Sequence, residues 1–460
     1  MDTRYKVFRW IICIMAILIV ILSLPFNSAC ACTDNRVVIE WNNEHQKIDG
    51  FGVSQAADIY AKELYDFSER KKVMDLLFSQ SKGIGLSILR CEVGNGLNMP
   101  TIEPEDGVWD FSGDDAELWV INEAKKRGVD KIFSTVWSPP AWMKTNNRIQ
   151  RGGFLKKECY QKYADYLAQY VKGYKQYHDV DIYAVSIANE PEYAAQWQSC
   201  LWTGSMMEDF IGNYLKPTFE RENVETKVIA GEMGINWNES VVIPALKSAN
   251  ACSMVDIVGG HYYRGIIKPF FVANAKGKKV WLTETSDTGT PFKTDIEDGL
   301  SWAKTIHKFM SSAEANAFCY WLGASYKDTN EMLIKMDKDN NQYIVSKRFY
   351  TLGNYSKFIR PEYIRIETTK NPIKGIYTTA YKNPKTDELI IVAINETDRE
   401  YNIDFNLQGF SPKIIKSYVT NQEKNLKRQP MKLIKNEEFT VQLGEKSVTT
   451  FLVKGSSIDY

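Results

Sequence analysis

The chain has 460 residues, 44% of them hydrophobic, and balances 57 basic against 57 acidic side chains. That length and apolar share suffice for one large barrel plus a smaller second domain, and they exclude a disordered chain or a small disulfide-stapled one. With the charges cancelled there is no field to draw in nucleic acid or an anionic membrane, so neither is expected as a partner.

At the N-terminus Arg4, Lys6 and Arg9 precede an apolar run from Trp10 to Leu24, followed by Pro25 and Ser28-Ala29-Cys30-Ala31-Cys32. This is the pattern of a signal peptide over 1–31 with cleavage after Ala31. The run is shorter than the ~20 residues that cross a bilayer, so a secreted protein with no membrane span after processing is expected. Acylation at Cys30 or Cys32 is the alternative, although neither has the Leu three positions earlier that such a site usually carries.

Segment 32–49 holds one β-rich run, Val37 to Trp41, with no helix after it, and is assigned to a β-sandwich. From 50 to 354, eight β-rich runs alternate with longer helical patterns: Gly50 to Val53, Leu86 to Val93, Lys131 to Trp137, Ile182 to Asn189, Lys227 to Gly231, Asp256 to Tyr262, Lys279 to Thr283 and Ala317 to Leu322. Eight such runs, apolar on both faces, spell an α/β fold, a (β/α)8 TIM barrel. The 3.6-residue stripe is clearest at Tyr160, Tyr163, Tyr166, Leu167, Tyr170, Val171 and Tyr174, which reads as packing against the barrel. Residues 355–460 change to strands separated by turn signals, the rest of an antiparallel β-sandwich built from both chain ends.

Two carboxyls close barrel runs: Glu190, in Ser186-Ile187-Ala188-Asn189-Glu190-Pro191, and Glu284, in Trp281-Leu282-Thr283-Glu284-Thr285. Strand ends form the face where such barrels do chemistry, and two carboxyls are the minimum equipment for cleaving a glycosidic bond. Runs four and seven lie across the barrel mouth from each other. A gap of roughly 5–5.5 Å would let one attack the anomeric carbon with retention, and roughly 6.5–9.5 Å would admit water and invert; the short gap is expected. Glu190 is then the acid/base, its pKa lifted by burial and by Glu284, and Glu284 the nucleophile. Arg90 ends run two and can supply Glu284 with a cation. Tyr262 ends run six and can supply a hydroxyl, and Asn189 is placed for a sugar 2-hydroxyl.

Twelve Trp and 25 Tyr invite a sugar-binding reading, because flat apolar rings with a polar edge suit pyranose faces; a Trp-rich core explains the count equally well. Setting aside Cys13, Cys30 and Cys32 leaves Cys91, Cys159, Cys200, Cys252 and Cys319, an odd number without a C-x-x-C pair. Buried thiols are expected, with Cys159 and Cys200 the one candidate bridge. The four histidines form no ligand pattern, so no metal or other cofactor is expected; His261 reads either as a cleft residue or as core.

The runs Trp137-Ser138-Pro139-Pro140-Ala141-Trp142-Met143-Lys144-Thr145-Asn146, Ser186 to Pro191 and Trp281 to Thr285 resemble glycoside hydrolase family 30. The tail Ser346-Lys347-Arg348, Tyr355 to Pro361, Thr369-Lys370-Asn371-Pro372 and Ser447 to Phe451 is similar to that family's bacterial glucuronoxylanase branch. The resemblance covers essentially the whole chain after residue 31. It implies a monomeric retaining endo-β-1,4-xylanase acting on the polysaccharide xylan. It also implies that Trp321 floors the subsite of the attacked sugar, that Trp137 and Trp142 line the cleft, and that Ser325 and Tyr326 are kept.

One departure bears on specificity. That branch usually carries two arginines just after the strand-eight tryptophan, which clamp a glucuronate branch through charge-assisted bonds; here Trp321-Leu322-Gly323-Ala324-Ser325-Tyr326 lacks both. Cleavage without a glucuronate requirement is therefore expected. The alternatives are a glucuronoxylanase using Lys327, Lys293 or Arg264, a xylobiohydrolase, a β-1,6-glucanase or β-glucosidase activity of the same family, and, from another class, a carbohydrate-binding protein without catalysis.

Overall fold

In the computed structural model, residues 35–434 and 436–458 are described. The expected signal peptide, Cys13, Cys30 and Cys32 lie outside the described residues. Within them no helix is long and apolar enough to cross a membrane. Strand β1 (Arg36–Lys47) precedes eight parallel strands that close on themselves: β2 (Gly50–Ala56), β3 (Ile88–Glu92), β4 (Lys131–Thr135), β5 (Ala184–Ser186), β6 (Lys227–Met233), β7 (Ile257–His261), β8 (Lys279–Glu284) and β9 (Ala317–Ser325). Closure is the parallel pairing of β9 with both β8 and β2.

A hairpin of β10 (Met332–Asp337) and β11 (Gln342–Val345) extends the barrel sheet beyond β9. It makes Gly323 and Ala324, which lie beyond the run expected to end at Leu322, part of a paired strand. The second sheet comprises β1, β12 (Ile364–Thr368), β13 (Ile376–Lys382), β14 (Glu388–Asn395), β15 (Tyr401–Gln408), β16 (Phe410–Thr420), β17 (Lys427–Arg428), β18 (Lys432–Leu433), β19 (Glu438–Leu443) and β20 (Ser447–Ser457), antiparallel except where β1 runs parallel to β15. It folds over a core that contains Val37, Ile39, Leu389, Ile391, Phe405 and Phe451.

Period-two alternation joins the two bodies. In β14, Leu389, Ile391 and Ala393 enter the sandwich core, while Ile390, Val392 and Ile394 belong to the core shared with the barrel helices. Asn354, in the helix Lys347–Ser356, donates Nδ2–H to the Thr450 hydroxyl at 2.9 Å and accepts that hydroxyl on its own carbonyl at 2.6 Å. The sandwich thus buttresses the barrel on the helical flank rather than at the mouth.

Inside the barrel a floor of Ile88, Phe133, Ala184, Ile229, Ile257, Trp281, Ala317 and Cys319 is fully buried. Trp281 anchors it by donating its indole N–H to Asp49 at 2.8 Å. Two residues further along their strands, the same inward direction carries Arg90, Ser186 and Trp321 to the mouth. The five cysteines among the described residues, Cys91, Cys159, Cys200, Cys252 and Cys319, are free, so the candidate Cys159–Cys200 bridge is not formed. Burial pushes the Cys91, Cys159, Cys200 and Cys319 thiols up, as befits inert core residues.

Beside β3 the carboxyl of Glu117 is buried with no ion pair among the described residues. Glu117, in the helix Asp115–Lys125, accepts the Glu92 N–H on one oxygen at 3.2 Å and has no hydrogen-bond partner for the other. Burial holds its pKa well above the ordinary carboxylate range, and burial raises that of Asp114 to about 7 against the opposing bond from Tyr174. Both groups bind protons more tightly folded than unfolded. The stability these two groups contribute is therefore fully present below the ordinary carboxylate range and is lost as pH rises, through about 7 for Asp114. Glu117→Gln should raise the thermal midpoint at pH 8 by roughly 2 °C and leave it unchanged at pH 4; calorimetry at the two pH values checks this.

Candidate active site

The barrel mouth opens into a cavity of about 680 Å³ lined by Glu190, Glu284, Asn189, Trp137, Trp321, Tyr60, Tyr263, Arg264 and Lys327, among others. One carboxylate oxygen of Glu190, one of Glu284 and one ring nitrogen of His261 lie within 4.8 Å of one another. The two strand-end carboxyls thus face each other across the barrel mouth.

Local irregularities aim them. The β7–β8 register runs Gly260 to Leu282 and then His261 to Glu284, so Thr283 is an extra residue in β8 and Glu284 turns inward. Glu190 takes a left-handed φ of 46° and donates its N–H to the Glu232 carbonyl at 3.0 Å. Its carboxyl fills the space over Gly234, where a Cβ would come within 2.2 Å of Glu190 Oε1. Gly234→Ala should therefore displace the carboxyl and lower kcat about a hundred-fold, with KM little changed, in steady-state kinetics.

Charge is distributed unevenly over the pair. Glu284 accepts a hydrogen bond from Nη1 of the fully buried Arg90, and another from the Tyr263 hydroxyl at 2.6 Å. Burial raises the Glu190 pKa, partly opposed by the bond from His261 Nδ1 at 3.1 Å, with the Glu284 charge adding to the rise. Burial works against charge on His261, but Glu284, Glu190 and Glu232 outweigh it and hold its pKa near 10. In that form both ring nitrogens carry protons.

Arg90 also donates Nη2–H to Asn189 Oδ1 at 2.7 Å and lies 4.4 Å from the centre of the Trp137 ring. Trp137 and Trp321 stand with ring centres 5.9 Å apart at 45°, and Tyr60 meets Trp321 edge-on at 5.8 Å, giving the cavity an aromatic floor. Tyr193 and Trp197 are exposed at the rim and pack at 5.8 Å.

Three expected residues are elsewhere. With His261 pointing inward, period two sends Tyr262 outward, where its ring packs against Phe309; Tyr263, the next residue, points inward and reaches Glu284. Trp142 does not line the cavity, because its indole N–H is directed to the Glu103 carbonyl at 3.3 Å and Lys162 covers its ring. Tyr326 is drawn away by Glu63, which takes its N–H and its hydroxyl, each at 3.1 Å. Sequence reasoning missed Tyr263, Glu232, Tyr60 and Gly234. Alternation through Gly260-His261-Tyr262-Tyr263 was a usable signal for the first, and a carboxyl closing run five for the second. Tyr263→Phe should cost about a hundred-fold in kcat/KM by removing one donor from Glu284, measured on an aryl glycoside.

At the expected arginine pair there is no room for a long side chain. A Cβ on Gly323 would stand 2.6 Å from Gln55 Oε1 and 2.9 Å from Leu77 Cδ1, and Ala324 is fully buried with its N–H bonded to Gln55 at 2.6 Å. Lys327 lines the cavity but is paired with Glu331 at 3.2 Å. Arg264 lines it, exposed, and has no ion-pair partner among the described residues.

Comparison with known proteins adds to this geometry. Residues 48–339 match the model of glycosyl hydrolase family 59. The glucuronoxylanase XynC of Bacillus subtilis strain 168 is 28% identical, with 96% of this chain and 98% of that protein aligned. The solved family 30 subfamily 8 xylanase Xyn30A from Clostridium acetobutylicum is 30% identical at a TM-score of 0.78, over 91% of this chain and 100% of that one. A family 30 endoxylanase from Clostridium papyrosolvens C71 is 29% identical at 0.75, with the same coverage.

Proposed function

This chain is a glycoside hydrolase that belongs with the family 59 model and the family 30 xylanase branch, and from that premise we propose an exported, retaining endo-β-1,4-xylanase that does not require glucuronic acid branches. The observation that carries the retaining reading is the carboxyl pair with one oxygen of each inside 4.8 Å, on the short side of the ranges that separate retention from inversion.

The roles follow from electrostatics. Glu284, ionised and held by Arg90 and Tyr263, attacks the anomeric carbon, and a glycosyl-enzyme ester forms as the glycosidic C–O bond breaks. Glu190, whose pKa is lifted by burial, gives its proton to the departing oxygen. In the second half it takes a proton from water, which attacks the same carbon, releasing the sugar and restoring Glu284. Asn189 lies against the acid and is fixed by Arg90, suiting it to a sugar 2-hydroxyl. Trp137 and Trp321 supply the apolar floor under the attacked ring.

The xylan assignment draws on relatives named as xylanases over nearly the whole chain. Freedom from the glucuronate requirement is supported by the closed space at Gly323. Arg264, an exposed cation on the cavity wall, favours a second reading in which it receives a branch carboxylate. Reducing-sugar release from xylan and from a β-1,6-glucan tests the substrate: turnover of xylan alone is expected, and preference for the glucan would overturn the reading. Proton NMR of the first product should show the β-anomer; an α-anomer would require a different mechanism.

A further inference from the structure

A third carboxylate lies beneath the pair, and we propose that Glu232 is a positioning residue that holds Arg90 and the His261 imidazolium side by side, so that the cluster is neutral while Glu190 carries its proton. The inference rests on the reading of Glu190 and Glu284 as the catalytic pair.

Glu232 is built into the barrel at some cost. Gly231 pairs with Gly259 and Met233 with Gly260, so Glu232 is the extra residue of a bulge in β6, fully buried at a left-handed φ of 48°. Bulges beside active sites re-aim a side chain, and a non-glycine residue there persists only where its surroundings hold it. Its carbonyl takes the Glu190 N–H, one carboxylate oxygen accepts the Ser186 hydroxyl, and the other lies 3.4 Å from Arg90 Nη2 and 3.7 Å from His261 Nε2.

Those two nitrogens are themselves 3.4 Å apart. A neutral ring would accept an Arg90 N–H there; with His261 protonated the two buried cations repel, and the Glu232 carboxylate beside both offsets that repulsion. The charged groups facing His261 are Glu190 from the β5 end, Glu232 from β6, Glu284 from β8 and Arg90 from β3. Two cations face three carboxyls, and the charges cancel when one carboxyl is protonated. That carboxyl is Glu190: burial favours raising the Glu232 pKa, but Arg90, His261 and Ser186 hold it at about 2, and Arg90 and Tyr263 engage Glu284. Without the Glu232 charge the cluster carries one excess positive charge, relieved when His261 or Glu190 gives up a proton.

Nitrogen-15 NMR of the histidine rings is practical because the chain has four histidines. In the native enzyme one ring, lost in His261→Gln, should stay doubly protonated to near pH 10. In Glu232→Gln that ring should titrate near the ordinary histidine range, with kcat/KM down about a hundred-fold and its alkaline limb moved to lower pH. Glu232→Asp keeps the charge and should restore the imidazolium. Ser186→Ala, which removes one hydroxyl, should give a smaller shift in the same direction should Glu232→Gln not fold. An unchanged ring titration and pH profile in both Glu232→Gln and Ser186→Ala would overturn the proposal. Turnover persisting in Glu284→Gln would instead refute the catalytic assignment, which the ring titration does not depend on.

Discussion

Glu284→Gln is expected to abolish xylan turnover, with kcat lower by on the order of 10⁴-fold or more, while substrate binding is kept. The amide is nearly isosteric but cannot attack the anomeric carbon, so the glycosyl-enzyme ester never forms. A second effect follows from the same contact. Arg90 is fully buried and Glu284 is one of its two anionic partners among the described residues, the other being Glu232 at 3.4 Å. Removing the Glu284 charge leaves the guanidinium under-compensated, and breaking a buried pair in this way costs about 3–5 kcal/mol. The variant should therefore melt several degrees below the native enzyme while binding xylo-oligosaccharides in calorimetry. Retained turnover would remove Glu284 from the mechanism.

Glu190→Ala should separate substrates by their leaving groups. Xylan departs as a poor leaving group and needs the proton, so its kcat/KM should fall about 10³-fold. An aryl xyloside whose phenol leaves unassisted should form the glycosyl-enzyme at nearly the native rate and then stall, because no base activates water. Azide needs no base, and the space vacated by the carboxyl lies within a cavity of about 680 Å³. Added azide should restore turnover and yield the β-glycosyl azide, identified by NMR. Equal losses on both substrates, without azide rescue, would deny Glu190 the acid/base role.

The division between what was legible in the chain and what was not follows the physics of the strand. Glu190, Glu284, Arg90 and Asn189 were readable because polar residues closing apolar parallel runs have few places to go except the mouth of a barrel. The bulges at Thr283 and Glu232 were invisible, because an extra residue in one strand is a property of register between two strands and leaves no local signature. The sequence points to Tyr262 where Tyr263 reaches Glu284 because it leaves the direction of His261 open; once His261 faces Arg90, alternation decides the next two residues. Trp142 and Tyr326 were misplaced for another reason. Their orientation is set by distant acceptors, the Glu103 carbonyl and Glu63, that no spacing rule connects to them.

The second sheet was legible where a strand is an unbroken apolar run, as in β14, and obscure where the run is interrupted. Strand β16 carries Pro412, Lys413 and Lys416 and a register shift between Pro412 and Ile414, so its pattern is broken at the point where periodicity is read. The hairpin of β10 and β11 had a similar effect on the specificity argument. Because β10 pairs with β9, the residues after Trp321 are fixed in a sheet, and Gly323 lies against Gln55 and Leu77 instead of in a free loop.

Mass spectrometry of the products released from glucuronoxylan and from unbranched xylan tests the central claim most directly. The account predicts that both polymers are cut at comparable rates into a series of xylo-oligosaccharides, with uronate present on some glucuronoxylan products at varying positions. A single uronate at one fixed position on every product, with unbranched xylan left uncut, would contradict it.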